Sequence, residues 1–237
     1  MTSFYDRTEL LLTHEGLERL RKAHVLVVGL GGVGGYAAEQ LCRAGVGRLT
    51  IVDGDSVSQS NINRQVIALH STVGQSKALL FKNRFADINP DCEVESIDEF
   101  IRDERMVALL EAHPYDYVVD AIDTLSPKVF LLYHCVQRGL RVVSAMGSAG
   151  KLDPLALQVS DISKSHTCPL AAMVRKRLHR MGIVSGIETV FSTEKVAQHA
   201  MVEELSENKR TTIGTISYLP PVFGCVCASV VIRRLMC

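Results

Sequence analysis

The residues with the most definite chemistry begin in one run near the amino terminus. His24–Val28 is apolar and strand-like, and it ends in Gly29-Leu30-Gly31-Gly32-Val33-Gly34-Gly35 ahead of the helical pattern Tyr36–Arg43. In the spacing Gly29-x-Gly31-x-x-Gly34, the first glycine permits a tight strand-to-helix turn. The second lets the backbone approach phosphate oxygens, and the third lets helix pack on strand. The helix N-terminus then offers unpaired N–H groups and a partial positive charge to an anion. Asp53 lies 19 residues after Gly34, at the end of a second strand, Arg48–Val52, where a carboxylate accepts bonds from ribose hydroxyls. Glycines alone can also serve close helix–strand packing; with strand, helix and acid in place, the run predicts a nucleotide site. It does not separate NAD from ATP.

The residues downstream bear on that choice. Asp53-x-Asp55 is followed by Ser60-Asn61-x-Asn63-Arg64-Gln65 and by Gly74-Gln75-x-Lys77. A dinucleotide's pyrophosphate needs few cations beyond the helix N-terminus, whereas a triphosphate normally takes a metal, a lysine and an arginine. Arg64 and Lys77 both follow the second strand and can fold back over the glycine loop. Asp123, in Val119-Asp120-Ala121-Ile122-Asp123, falls just past a fourth strand, Tyr115–Ala121, at the edge where open parallel sheets bind ligands. A carboxylate there can hold Mg²⁺ against phosphate oxygens. Singly, Arg64 reads as a surface ion pair, Lys77 as a solvated helix face and Asp123 as a helix N-cap. Jointly they favour ATP.

Positioning these groups takes a particular scaffold. Helical spacing runs through residues 8–22, then strands at 24–28, 48–52, 92–97, 115–121 and 141–145 alternate with helices at 36–43, 75–87, 103–111 and 127–138. Near-continuous apolar strands between helices imply a doubly wound, Rossmann-like, mainly parallel α/β sheet covered on both faces. After Gly150 the rhythm changes: strands are expected at 156–160 and 187–191 around a basic helix, 169–181, with a terminal helix from about Pro220. No repeat or linker interrupts the chain. We expect one domain over 1–237, its nucleotide-binding part at 5–147 and an elaborated part at 148–237.

Composition narrows the class. The 237 residues are 47% hydrophobic and 22% charged, with 26 basic and 26 acidic side chains, so any anionic macromolecule must be met by a local patch. The basic helix supplies one, with Arg175, Lys176, Arg177 and Arg180; a merely solvated face is the competing reading. Seven scattered cysteines without a CxxC pair fit reduced thiols and predict no zinc, with Cys225 and Cys227 read as core residues. No leader-like run opens the sequence, and Ile216–Ile232 contains two prolines and falls short of the ~20 apolar residues of a spanning helix. A cytoplasmic location without stable membrane association is expected.

The segments GLGGVGGYAAEQLCRAGVGRLTIVDGDSVSQSNINRQ, GQSK and VVDAID resemble the adenylation domain of the ubiquitin-activating-enzyme superfamily, including its bacterial ThiF-, MoeB- and HesA-type members. The resemblance implies that Gly31 and Gly32 line the phosphates and Asp53 binds the ribose, with Gly29, Gly34 and Asp55 also among the cofactor-binding residues. It also implies that Asn61, Arg64, Gln65 and Lys77 surround the triphosphate and that Asp123 holds Mg²⁺. Tyr5-Asp6-Arg7 resembles the segment whose arginine enters the partner subunit's site, making Arg7 a catalytic finger across a homodimer.

In the second half, Gly147–Pro154, Val159–Ile162, Pro169–Ala172 with Arg175 and Arg177, and Val190–Glu194 resemble one branch, the tRNA threonylcarbamoyladenosine dehydratases or cyclases. There the activated carboxylate belongs to a threonyl group on an adenosine beside the anticodon. Adenylation makes its carbon electrophilic, and the neighbouring carbamoyl group closes a ring on it as AMP leaves. Three other readings stand beside this one. They are an activator of a ubiquitin-like sulfur-carrier protein, an NAD-dependent oxidoreductase, and a nucleotide-binding partner of a cysteine desulfurase system. Whether a monovalent cation is bound is left open.

Overall fold

The computed structural model describes residues 3–202 and 212–236. Part of the charged stretch after Ser192, residues 203–211, lies outside them. The chain opens with α1 (Asp6–Lys22), which is broken at Thr13. The alternating half follows: β1 (His24–Val28), α2 (Gly34–Ala44), β2 (Arg48–Val52), α3 (Lys77–Ile88), β3 (Glu93–Ile97), α4 (Asp103–Glu111), β4 (Tyr117–Asp120), α5 (Leu125–Gln137) and β5 (Val142–Ala145). Then come β6 (Leu157–Asp161), α6 (Pro169–Arg180), β7 (Glu188–Ser192), the short pair β8 (Met201–Val202) and β9 (Thr212–Ile213), and α7 (Leu219–Met236).

The seven-stranded sheet has the order β3-β2-β1-β4-β5-β7-β6. Its pairs are parallel except the last, where β6 runs antiparallel to β7 at the edge. The expected doubly wound sheet is therefore present. Central strands β1 and β4 are buried at every position, which is why they read as unbroken apolar runs. The edge strands β3 and β6 have one or both faces open and carry mixed sequences, Glu-Val-Glu-Ser-Ile and Leu-Gln-Val-Ser-Asp.

Two apolar clusters lie on opposite faces of the sheet. One joins β1 and β2 to α2, α3 and α7 through Leu41, Phe81, Phe85 and Phe223. The other joins β4 and β5 to α4, α5 and α6 through Met106, Leu132, Val174 and Leu178. Helix α7 is long and apolar enough to cross a membrane, yet it is the core helix the sequence suggested. Its Gly224 faces the Val33 carbonyl so closely that a Cβ would meet it at 2.3 Å, which lets α7 lie directly on α2. Cys227 is buried in that contact; Cys225, expected in the core as well, is exposed because it falls on the opposite side of the helix.

Candidate functional site

At the C-terminal ends of β1, β2 and β4 three turns meet. Gly29 leaves β1 with φ +90°, and a Cβ there would stand 2.8 Å from the Ala121 carbonyl oxygen. A Cβ on Gly34 would lie 1.8 Å from the Gly29 oxygen and 2.9 Å from the Ala121 side chain. Any larger residue at either position would force the turn after β1 away from the turn after β4. The two glycines thus fuse these turns into one rigid floor, with the N-terminus of α2 opening onto it.

Asp53 closes the floor from β2. Its Oδ2 accepts the Leu30 N–H at 2.6 Å and its Oδ1 accepts the Asp55 N–H at 2.8 Å. Burial pushes the Asp53 carboxyl above its ordinary value, opposed first by the nearby Lys77 charge and then by those two backbone donors. Lys77 opens α3 and is only 4% exposed. Its Nζ donates to Asp55 Oδ2 at 2.8 Å and lies 4.0 Å from Asp53 Oδ1. The solvated helix face is thus overturned for Lys77: the ammonium is held inside by two carboxylates. A carboxylate has about four lone-pair positions, so Asp53 keeps acceptor capacity for ribose hydroxyls.

The loop after β2 forms one wall. A Cβ on Gly32 would be 3.3 Å from Arg64 Cγ, and one on Gly31 would be 3.7 Å from Gln65 Nε2. Arg64 and Gln65 therefore stand beside the glycine loop, as their order in the sequence suggested. Arg64 Nη1 donates to the Ser60 carbonyl and to Asn63 Oδ1 at 2.9 and 2.8 Å, and among the described residues its remaining donors make no such bond. Gln65 Oε1 is buried without a hydrogen-bond partner among the described residues, an orphaned acceptor at the rim of the loop. Asn61 Oδ1 accepts the Ser58 N–H at 3.1 Å and stiffens the loop, leaving its amide NH₂ as what it can offer a ligand.

Asp123 is exposed in the turn from β4 to α5, at the expected edge; the α5 N-cap position belongs to Thr124 instead. That turn is held by residues the sequence reading passed over. Lys128 and Asp120 form a wholly buried ion pair at 2.7 Å. Lys128 Nζ also donates to the Ile122 carbonyl at 3.0 Å, and Asp120 accepts the Ile122 N–H at 3.1 Å and the Ser144 hydroxyl at 2.6 Å. One ion pair thus clamps both polar groups of Ile122, the residue before Asp123. Their signal was present: Asp120 closes an apolar strand, and Lys128, Leu132 and Cys135 share one helical face.

A further wall comes from the C-terminal part. Pro220, at the start of α7, lies where a Gly32 Cβ would come within 2.9 Å. Gly214 accepts from Gly150 N–H at 2.8 Å, Asn63 Nδ2 donates to the Thr215 carbonyl at 3.0 Å, and Tyr218 donates to the Leu152 carbonyl at 2.9 Å. The segment before α7 therefore bridges the glycine-loop side and the β5 side.

Arg7 is not among these residues. Tyr5, two positions earlier, packs where a Gly45 Cβ would stand and donates to Asn89 Oδ1 at 2.8 Å, at the C-terminal ends of α2 and α3. Those ends lie at the sheet edge opposite the glycine loop. The basic helix is also divided. Arg175 is half-buried and donates to the Ser165 carbonyl at 2.6 Å and to its hydroxyl, so it ties α6 to the preceding loop. Lys176, Arg177 and Arg180 are exposed.

Comparison with known proteins places this arrangement. The ThiF family pattern matches residues 5–236. The chain is 47% identical over 190 residues to a tRNA threonylcarbamoyladenosine dehydratase of Bacillus subtilis, covering 80% of this chain and 74% of that protein. It is 34% identical to the corresponding Escherichia coli protein over 250 residues, covering 98% and 93%. The crystal structure of the E. coli dehydratase in complex with ATP superposes with a TM-score of 0.89 at 34% identity, over 98% of this chain and 93% of that one.

Proposed function

This chain belongs to the ThiF family, and from that premise we propose that it is an ATP-dependent tRNA threonylcarbamoyladenosine dehydratase. The observation that carries the reading is the single rim where the glycine loop, buried Lys77 with Asp53 and the exposed Asp55, Arg64 and Asp123 meet. It lies in a chain that aligns almost end to end with a dehydratase crystallised with ATP.

The chemistry follows from these groups. A substrate carboxylate oxygen attacks the α-phosphorus of ATP, the bond to pyrophosphate breaks, and an acyl-adenylate forms. The carbamoyl group then attacks the activated carbon, loses its proton to solvent and expels AMP. The attacking carboxylate is already ionised near neutral pH, so positioning and charge neutralisation suffice for the first step. Asp53 receives the ribose, and the α2 N-terminus receives phosphate. Lys77, buried beside its two carboxylates, and Arg64, standing against the glycine loop, offset negative charge on the triphosphate.

Mg²⁺ fits the donor set. Among the described residues no three His, Cys, Asp or Glu side chains converge, and Asp123 is an exposed carboxylate on the rim. An ion held by one carboxylate and by phosphate oxygens, with water completing the shell, is the coordination Mg²⁺ prefers. Bound there, it supplies charge neutralisation at the phosphates.

The active form is a homodimer in the cytoplasm, with Arg7 of each protomer entering its partner's site. Arg7 starts at the sheet edge away from its own glycine loop, and Leu10 and Leu11 beside it are 73% and 82% exposed. Such leucines on a helix are the apolar surface a second copy would cover.

The test measures AMP and pyrophosphate release from ATP with tRNA containing threonylcarbamoyladenosine, and separately with a sulfur-carrier protein ending in Gly-Gly. Release with the tRNA only, accompanied by a nucleoside lighter by one water, is expected. Release with the carrier protein only would replace this reading by the sulfur-carrier one.

A further inference from the structure

Away from the nucleotide rim, helices α5 and α6 enclose a groove of about 440 Å³ lined by Ser126, Val129, Phe130, Arg177, Arg180 and Met181. The lining positions match in spacing. Ser126, Val129 and Phe130 stand at i, i+3 and i+4 on α5, and Arg177, Arg180 and Met181 repeat that pattern facing them. The floor is apolar and includes an aromatic ring, and two guanidinium groups form the rim. We propose that this groove binds one unstacked nucleotide of single-stranded RNA, its base against Phe130 and Met181 and its flanking phosphates on Arg177 and Arg180. The proposal rests on the tRNA reading above and assigns a subsite for the nucleotide neighbouring the reacting adenosine.

Three observations support it independently of the nucleotide site. First, Ile162–Ile187 contains Lys164, Arg175, Lys176, Arg177 and Arg180 and no acidic residue, in a chain with equal numbers of acids and bases. Five cations in one acid-free segment make a local field that attracts a polyanion. Second, among the described residues no carboxylate lines the groove. Arg177 Nη1 donates to Ser126 Oγ at 2.8 Å, which fixes the guanidinium at the groove while its other donors make no hydrogen bond among the described residues. Third, Ser126 is three residues past Asp123, so the groove begins within about 10 Å of chain from the proposed adenylation rim.

An acidic protein segment would satisfy the two arginines but leaves the flat apolar floor between them unexplained. A duplex would present stacked bases that cannot reach that floor. A single strand alternates phosphates with faces of bases, and aromatic side chains bind such faces without regard to sequence. The occupant is therefore RNA with an extruded base, the state of an anticodon loop.

The test is steady-state turnover against tRNA containing threonylcarbamoyladenosine at several salt concentrations. In the Arg177→Ala/Arg180→Ala variant, KM for tRNA is expected to rise at least tenfold while KM for ATP is unchanged. The slope of log KM against log salt should fall by about 1.4, from two phosphate contacts on a single strand. Phe130→Leu should raise KM for tRNA about fivefold or more and leave the slope unchanged, the signature of lost stacking. Lys22→Ala/Lys82→Ala, which removes two exposed charges elsewhere, should alter neither. Equal losses in that control, or an unaltered KM in the arginine variant of a folded protein, would overturn the subsite. So would an arginine variant that keeps its KM for tRNA and loses retention of an acidic partner protein. Absence of turnover in the wild type would instead overturn the tRNA reading itself.

Discussion

Asp123 sits exposed on a turn whose preceding residue, Ile122, is held by the Lys128–Asp120 pair, so its substitution should act first on chemistry. Asp123→Ala is expected to abolish AMP formation while the variant still unfolds cooperatively in urea; turnover at the wild-type rate would discard its Mg²⁺ role. His24 makes the opposite case, a residue remote from ATP that governs acid stability. Its Nε2 donates to the Thr50 hydroxyl at 2.9 Å, and that hydroxyl donates in turn to Glu95 at 3.0 Å. Burial lowers the His24 pKa to about 4; Arg48 and His113 add to this, while Glu95 and Asp116 oppose it. Between pH 6.5 and 4 only the unfolded chain takes up this proton, so stability falls as the pH drops through that window and levels off below it. The loss totals on the order of 3 kcal/mol. Urea unfolding of wild type and His24→Gln across pH 7 to 4 should show the wild type losing more, with no such difference if the imidazole titrates normally.

At the scale of elements, the turn after β4 depends on a helix face and a strand end acting together. Lys128→Met would leave Asp120 charged, buried and unpaired, an error that costs about 3–5 kcal/mol. Adding Asp120→Asn should recover much of that stability, because the neutral amide no longer needs a counter-ion. Chemical denaturation of the single and double variants checks this, and a cost under about 1 kcal/mol in the single variant would show that the pair does not hold the turn. This clamp also shows why the sequence yields some elements readily and others not. Strands such as Val25–Val28 announce themselves because every position is buried, and the glycine spacing announces its turn because bulk is excluded there. A charge neutralised inside the protein has a fainter mark: Lys77 reads as a solvated helix face, and Lys128 is betrayed only by sharing a face with Leu132 and Cys135, until their carboxylates are seen beside them. The Arg175 tie to Ser165, 10 residues back along the chain, is likewise a contact that local spacing does not encode. The nucleotide rim was legible because Asp53, Arg64, Lys77 and Asp123 all end up at one sheet edge by the rules of parallel crossover connections.

Over the whole molecule, the sheet separates Arg7 from the site it is proposed to serve. A five-residue strand spans roughly 17 Å, and Tyr5 is pinned at the end of that span away from the glycine loop, so a catalytic Arg7 must act on a second copy. A twofold dimer makes the exchange reciprocal. Arg7→Ala and Asp123→Ala homodimers should each be inactive. Co-expressed in equal amounts, they should form heterodimers as about half of all dimers. In each heterodimer one site receives both lesions and the other receives none, because the Arg7→Ala protomer keeps its own Asp123 and borrows Arg7 from its partner. The mixture should therefore recover about a quarter of wild-type AMP formation. An arginine acting within its own chain would leave every site damaged and the mixture silent. Measuring turnover on isolated heterodimers carrying two different affinity tags distinguishes these cases, since their activity should approach half that of the wild-type dimer.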